Sequence, residues 1–325
     1  MLANHRVING KPSILPIALT IVAVCCTFGN VAAGQSLEKN SNIDNDSYGA
    51  LRLRTIHERR SDSDTGTTKQ YGRSTVQGSN GKIVTGSPVK DARKYPWIVA
   101  LAYLDGETRV QYCAGSLIGS KSVLTAAHCP VEIGDLVIAG RIDLSKSTVG
   151  LEVQVLSRKS GPFDAKTLDG DYAVLELEKA LDLATIDLDR DNTFDIDPPK
   201  KMIIAGWGRS SFVSNSVNKL LWAEIYTKDW KSCIGTYSQA SLAITPTMFC
   251  GRSEAGDACT GDSGGPAMRA VGNNRFTLVG IISWGRSCGQ KDFPGVYTRI
   301  SAIASDVDKL LPVKQRADVT EGRRP

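Results

Sequence analysis

From Ile83 onward the sequence predicts an all-β domain of the sandwich or barrel class. Short β-rich runs are the first sign: Trp97-Ile98-Val99-Ala100-Leu101, Val123-Leu124-Thr125 and Leu278-Val279-Gly280-Ile281-Ile282, each bounded by Gly, Ser, Asp and Pro. Composition is the second: 31 glycines and 6% aromatic residues among 325 favour a turn-rich β protein over a helical bundle. At 41% hydrophobic and 22% charged, the chain is not disordered on average and is long enough for a sizeable core. Its net charge of +5 is too slight to argue for nucleic acid as a partner. Eight cysteines are too few for a disulfide-dominated miniprotein.

The amino terminus has the character of an address. His5, Arg6 and Lys11 precede the apolar run Ile14 to Phe28, which is shorter than the about 20 residues of a spanning helix. Val31-Ala32-Ala33 then offers small residues where a signal peptidase reads. Residues 1–33 are expected to be a secretory signal, in preference to an uncleaved membrane anchor or a buried core helix. A secreted protein without stable membrane association follows. Cys25 and Cys26 leave with the signal, and the six remaining cysteines can pair in an oxidising compartment.

Residues 34–82 hold only nine apolar side chains and no cysteine, so they cannot offset the entropy of ordering and are expected to form a polar, disordered pro-segment. Asn45-Asp46-Ser47 is a glycosylation sequon, and Asn45 is the expected acceptor. Leu51-Arg52-Leu53-Arg54, followed by His57-Glu58-Arg59-Arg60, reads first as an ordinary basic processing stretch. It also loosely resembles the Arg-x-Leu-Arg signature of oomycete secreted effectors, with Leu51 in place of the first arginine. That resemblance implies delivery into a host cell.

Three motifs in the β-rich region carry chemistry. Leu124-Thr125-Ala126-Ala127-His128-Cys129 contains the only histidine after residue 57, and a neutral imidazole is suited to take and return a proton near pH 7. In Thr260-Gly261-Asp262-Ser263-Gly264-Gly265-Pro266 the glycines leave the Ser263 hydroxyl unshielded. They also let backbone N–H groups, those of Gly261 and Ser263, converge where an oxyanion develops. Asp169-Gly170-Asp171 opens the strand-like Tyr172-Ala173-Val174-Leu175-Glu176-Leu177. Asp171 is favoured over Asp169 as the carboxylate that orients an imidazole, because it abuts the apolar run.

These motifs, in the order His, Asp, Ser, resemble the trypsin/chymotrypsin family of serine endopeptidases from Ile83 to about Leu311. The resemblance implies two six-stranded antiparallel β-barrels, a short C-terminal helix and an active site in the cleft between the barrels. It makes Ser263 the nucleophile, His128 the general base and acid, and Asp171 the group that holds the imidazole, with an acyl-enzyme as intermediate. Gly206-Trp207-Gly208, Met248-Phe249-Cys250 and Pro294-Gly295-Val296-Tyr297 match second-barrel landmarks. Ser283-Trp284-Gly285 resembles the strand that pairs with an extended substrate backbone. The resemblance also gives the bridges Cys113–Cys129, Cys233–Cys250 and Cys259–Cys288 out of the 15 pairings six cysteines allow.

The same resemblance places Asp257 at the base of the primary substrate pocket, with Gly285 and Gly295 keeping it wide. A desolvated carboxylate there selects Arg or Lys. Ala258 lacks a hydroxyl some relatives carry, which tilts the preference to Arg, and Arg286 disfavours basic residues further upstream. Lys82-Ile83-Val84-Thr85-Gly86 resembles a zymogen junction. Cleavage after Lys82 frees the Ile83 ammonium to pair with Asp262.

Gly140–Gly150 lacks the paired glutamates of the calcium loop in many relatives, so no calcium, and no other metal or cofactor, is expected. Pro312–Pro325 lies beyond the resemblance and is expected to be a disordered polar tail. The partners expected are polypeptides with Arg or Lys at the cleavage site, and protein inhibitors, acting on a monomer. The alternative function is a catalytically silent binding or inhibitor protein on the same fold, or a host-delivered effector using this domain.

Overall fold

The computed structural model describes residues 86–194, 196–197, 199–208, 217–253, 256–286, 292–313 and 315–316. The expected signal, the pro-segment with Asn45 and Arg52–Arg60, the Lys82–Ile83 junction and Cys288 lie outside the described residues.

Two closed six-stranded barrels form the fold. The first is built from β2 (Ile98–Asp105), β3 (Thr108–Gly119), β4 (Ser122–Thr125), β5 (Leu136–Ala139), β6 (Leu151–Ser160) and β7 (Ala173–Leu177), closing in the order β2-β3-β4-β7-β6-β5. All its pairings are antiparallel. Alternation shows best in β6, where Val153 and Val155 turn inward while Leu156 stands exposed. In β4 and β5 every residue is buried, because these short strands are covered on both faces.

The second barrel is closed by β9 (Lys201–Gly206), β10 (Leu221–Thr227), β11 (Met248–Arg252), β12 (Pro266–Ala270), β13 (Phe276–Trp284) and β14 (Gly295–Arg299), again antiparallel. Met202, Ile204, Leu221, Ile225, Phe249, Val279 and Tyr297 fill it. Two short strands extend this sheet: β1 (Ser87–Pro88) on β10, and β8 (Asp187–Leu188), which pairs in parallel with β13 as the chain crosses between barrels.

A helix α1 (Trp230–Ser238), not anticipated from the sequence, starts where the Asp229 carboxylate accepts from the Ser232 N–H at 2.7 Å. The expected terminal helix is α2 (Ile300–Leu310). It buries Ile300, Ile303, Ala304 and Val307, the spacing of one helical face, against β13, β7 and β8. The tail departs from expectation as far as it is described. The Gln315 amide donates to the Ile118 carbonyl at 3.0 Å and accepts from the Ser122 hydroxyl at 2.5 Å, so one polar side chain shortly after α2 docks on the first barrel.

The barrels meet through an aromatic cluster and backbone stitches. Phe276 of the second barrel stands edge-on to Tyr95 (5.4 Å) and tilted to Trp97 (5.7 Å), both just ahead of β2. Leu144 N–H donates to Asn218 O at 2.8 Å and Leu220 N–H to Ile142 O at 2.7 Å.

Candidate active site

The histidine and serine motifs come from different barrels and are fastened to one another. His128 follows β4, and the disulfide Cys113–Cys129 ties its neighbour to β3. Ser263 precedes β12, and its carbonyl accepts from the Ala114 N–H at 2.8 Å. Gln111 on β3 donates to the Gly261 carbonyl at 2.8 Å. Gly264 has φ +80°, and a Cβ there would collide with the Thr125 hydroxyl and Ala114 carbonyl, so this glycine is what lets the serine loop press on the first barrel.

Asp171 lies at the entry to β7 and is 1% exposed. Its Oδ1 accepts from the His128 backbone N–H at 2.8 Å and its Oδ2 faces the His128 Nδ1 at 2.7 Å. The Ser283 hydroxyl also donates to Oδ2, and the Thr298 hydroxyl donates to the Asp171 carbonyl at 2.9 Å. Burial pushes the Asp171 carboxyl up, but the charge of His128 and the hydrogen bonds from His128 and Ser283 outweigh it and hold it below the ordinary value. Asp169 is elsewhere: it accepts from the Thr245 hydroxyl at 2.6 Å and from the Thr247 hydroxyl, ahead of β11. The side chain of Ser283, expected only along the substrate strand, is thus a buried partner of Asp171.

In the serine loop the N–H of Asp262 donates to Cys259 O, that of Gly264 to Ile282 O, and that of Gly265 to Asp262 O. The N–H groups of Gly261 and Ser263 have no acceptor among the described residues. Gly261, with φ +96°, supplies the turn that this arrangement needs.

Asp262 is fully buried. Its oxygens accept from the Gly208 N–H at 2.8 Å and the Cys259 N–H at 3.0 Å. A Cβ at Gly206 or Gly208 would collide with its carboxylate, which gives a reason for the glycines that flank Trp207. Burial pushes the Asp262 carboxyl up to about 6 against the pull of those two N–H groups.

Asp257 is 2% exposed and accepts from the Ala258 N–H at 2.9 Å. A Cβ at Gly295 would lie 3.2 Å from Asp257 Oδ1, and one at Gly285 would lie 3.7 Å from Gly295 Cα. The two glycines therefore face each other beside the carboxylate. Trp284 packs edge-on against Tyr237 at 4.9 Å, and Tyr237 also meets Phe293 at 5.5 Å. The Arg286 guanidinium sits 4.5 Å over the Phe293 ring.

Cys233–Cys250 pairs as expected, and Cys259 is disulfide-bonded, its expected partner Cys288 lying outside the described residues. The ligand atoms of Cys113, His128 and Cys129 lie within 4.8 Å of one another. Because both sulfurs are spent in one bridge, they offer no thiolate to a metal. In the loop after Gly140 the interior is taken by a side chain. Arg141, whose side chain is 1% exposed, donates to Val149 O at 2.5 Å and Ser147 O at 3.0 Å and ion-pairs with Glu152 at 2.9 Å. A resident cation does not fit a second, metallic one.

The family model for trypsin matches residues 83–306. The chain belongs to the trypsin family. It is 33% identical over 235 residues to trypsin theta of Drosophila erecta, covering 69% of this chain and 84% of that protein. To trypsin Blo t 3 of Blomia tropicalis it is 34% identical over 247 residues, covering 72% and 88%. To transmembrane protease serine 9 of Rattus norvegicus it is 32% identical over 253 residues, which is 74% of this chain but only 23% of that larger protein. The protein is accordingly a serine endopeptidase acting on polypeptides. Among the described residues no helix is long and apolar enough to cross a membrane.

Proposed function

We propose that the protein is a secreted serine endopeptidase that hydrolyses peptide bonds after Arg or Lys and is made as a zymogen activated by cleavage after Lys82. The contact of His128 Nδ1 with the buried Asp171 carboxylate, beside a serine loop fastened to the same β3, is the observation that carries the reading.

Asp171 fixes the tautomer in which His128 Nδ1 bears the proton and Nε2 is open to accept one. That nitrogen takes the Ser263 proton as Oγ attacks the scissile carbonyl, and returns it to the leaving amine. The developing oxyanion falls to the N–H groups of Gly261 and Ser263, which have no acceptor among the described residues. Water then repeats the sequence on the acyl-enzyme. Past Ile282 the backbone of Ser283–Gly285 supplies the edge on which an extended substrate lies, its side chain entering between Gly285 and Gly295 towards Asp257. Arg286, steadied over Phe293, disfavours basic residues further upstream. Before cleavage, Asp262 is a buried carboxylate on two N–H groups; the Ile83 ammonium is the cation that completes it.

The test is to activate the chain, titrate it with a serine-directed covalent reagent, and assay short Arg and Lys substrates. Stoichiometric labelling with turnover is expected, lost in Ser263→Ala, while Asp257→Ser loses cleavage after Arg and Lys. No labelling and no turnover would instead favour a binding protein on the same fold. A mature amino terminus other than Ile83 would contradict the activation scheme.

A further inference from the structure

The main chain at His128 is held from both sides. Arg158, on β6, donates from Nη2 to the Ala127 carbonyl at 2.6 Å. That carbonyl belongs to the amide whose N–H, on His128, donates to Asp171 Oδ1 at 2.8 Å. A single peptide group therefore stands between a cation and a buried carboxylate, its oxygen towards the one and its hydrogen towards the other. In the β6–β7 ladder Arg158 stands opposite Leu175. Arg158 as a residue stays exposed on β6, but its guanidinium reaches in to the part-buried Ala127 carbonyl, where lost solvation pulls its pKa down while Tyr112 and Asp171 pull it up.

We propose that Arg158 is a positioning residue for the His128–Asp171 pair, fixing the Ala127–His128 amide by its carbonyl while Asp171 fixes it by its N–H. The inference rests on His128 being the base and Asp171 the carboxylate that orients it. Several titratable groups face this corner. From β3 comes Tyr112, whose hydroxyl donates to Asp135 Oδ2 at 2.7 Å. Asp135 itself and Glu132 come from the loop ahead of β5, and Asp171 from the entry to β7. Burial, with Asp135 adding to it, holds the Tyr112 phenol far above its ordinary range, so it is neutral at working pH. Arg158 brings a positive charge to the peptide group that carries the base, and it opposes the arrival of a second one during proton transfer.

The experiment measures kcat and KM for a small Arg substrate from about pH 5 to about pH 9, per active site counted by the serine-directed reagent. Arg158→Ala is expected to lower kcat about tenfold with KM within about twofold, and to move the acid limb of kcat/KM up by about half a pH unit. Arg158→Lys, which keeps a cation and a donor, recovers most of kcat and returns the limb. Arg158→Gln is the charge-removing variant if the alanine protein does not fold, with the same shift expected. A loss uniform over pH that lysine does not recover would overturn the proposal and mark Arg158 as merely structural. Unchanged kcat and profile in Arg158→Ala would overturn it too. A wild-type enzyme that neither labels nor turns over overturns the reading beneath, and the proposal with it.

Discussion

Two buried aspartates, one ahead of β7 in the first barrel and one ahead of β12 in the second, respond to burial in opposite ways. Asp171 is held below the ordinary carboxylate value, whereas Asp262 is pushed up to about 6. Depth does not separate them, since both are almost wholly enclosed. What differs is the character of the donors. Asp171 faces an imidazole able to carry charge, a hydroxyl and a backbone N–H; Asp262 has two backbone N–H groups. At Asp262 two neutral N–H donors do not offset the lost water, whereas at Asp171 the charge of His128 and the hydrogen bonds from His128 and Ser283 do. The first carboxylate is arranged for permanent ionisation. The second is left with a raised pKa by its neutral donors.

The comparison breaks most visibly at Asp171. Asp171→Asn removes the charge and the preferred tautomer, and kcat should fall by about 10⁴-fold with KM little changed, as the same exchange does in other enzymes with this triad. Steady-state kinetics on titrated enzyme will read it. Next in size is the pH response of the uncleaved chain. Because the Asp262 carboxyl is raised in the folded state, the stability it lends is complete below about pH 4 and is lost as pH rises through about 6. The loss is on the order of 3 kcal/mol. Urea unfolding of the full-length Ser263→Ala chain across that window should show the slope, and Asp262→Asn should flatten it. Asp171 has the reverse sign: its folded value is depressed, so its contribution is present above the ordinary carboxylate value and is lost only in stronger acid. The smallest effect belongs to Ser283→Ala, which removes one hydroxyl from Asp171 and should cost about 2 kcal/mol. Acid unfolding then begins at higher pH, and kcat falls with it.

The strings that carry the candidate site were legible because each is local. The serine motif and the residues before His128 are contiguous, and the chemistry of each can be read from its own side chains. Choosing Asp171 over Asp169 needed only the edge of an apolar strand, and the structure indeed sets Asp169 on Thr245 and Thr247 instead. The barrel class was legible for the same reason, as short runs between turn residues. What stayed hidden is long-range. Ser283 meets Asp171 across 112 positions and Gln111 meets Gly261 across 150, and neither pairing leaves a local pattern. Arg158 likewise belongs to no local motif, and its contact with the Ala127 carbonyl spans 31 positions. Helix α1 and the docking of Gln315 escaped because each depends on a surface assembled by distant segments.

The ties between the serine loop and β3 have a practical consequence. His128 and Ser263, the proposed base and nucleophile, sit on separate halves of the chain, and no half contains both. A chain divided in the connection between β8 and β9 would give two fragments, each carrying one partner of the Ala114–Ser263 and Gln111–Gly261 contacts. Their reassembly would be reported by turnover itself, so the enzyme contains the design of a split-protein complementation sensor.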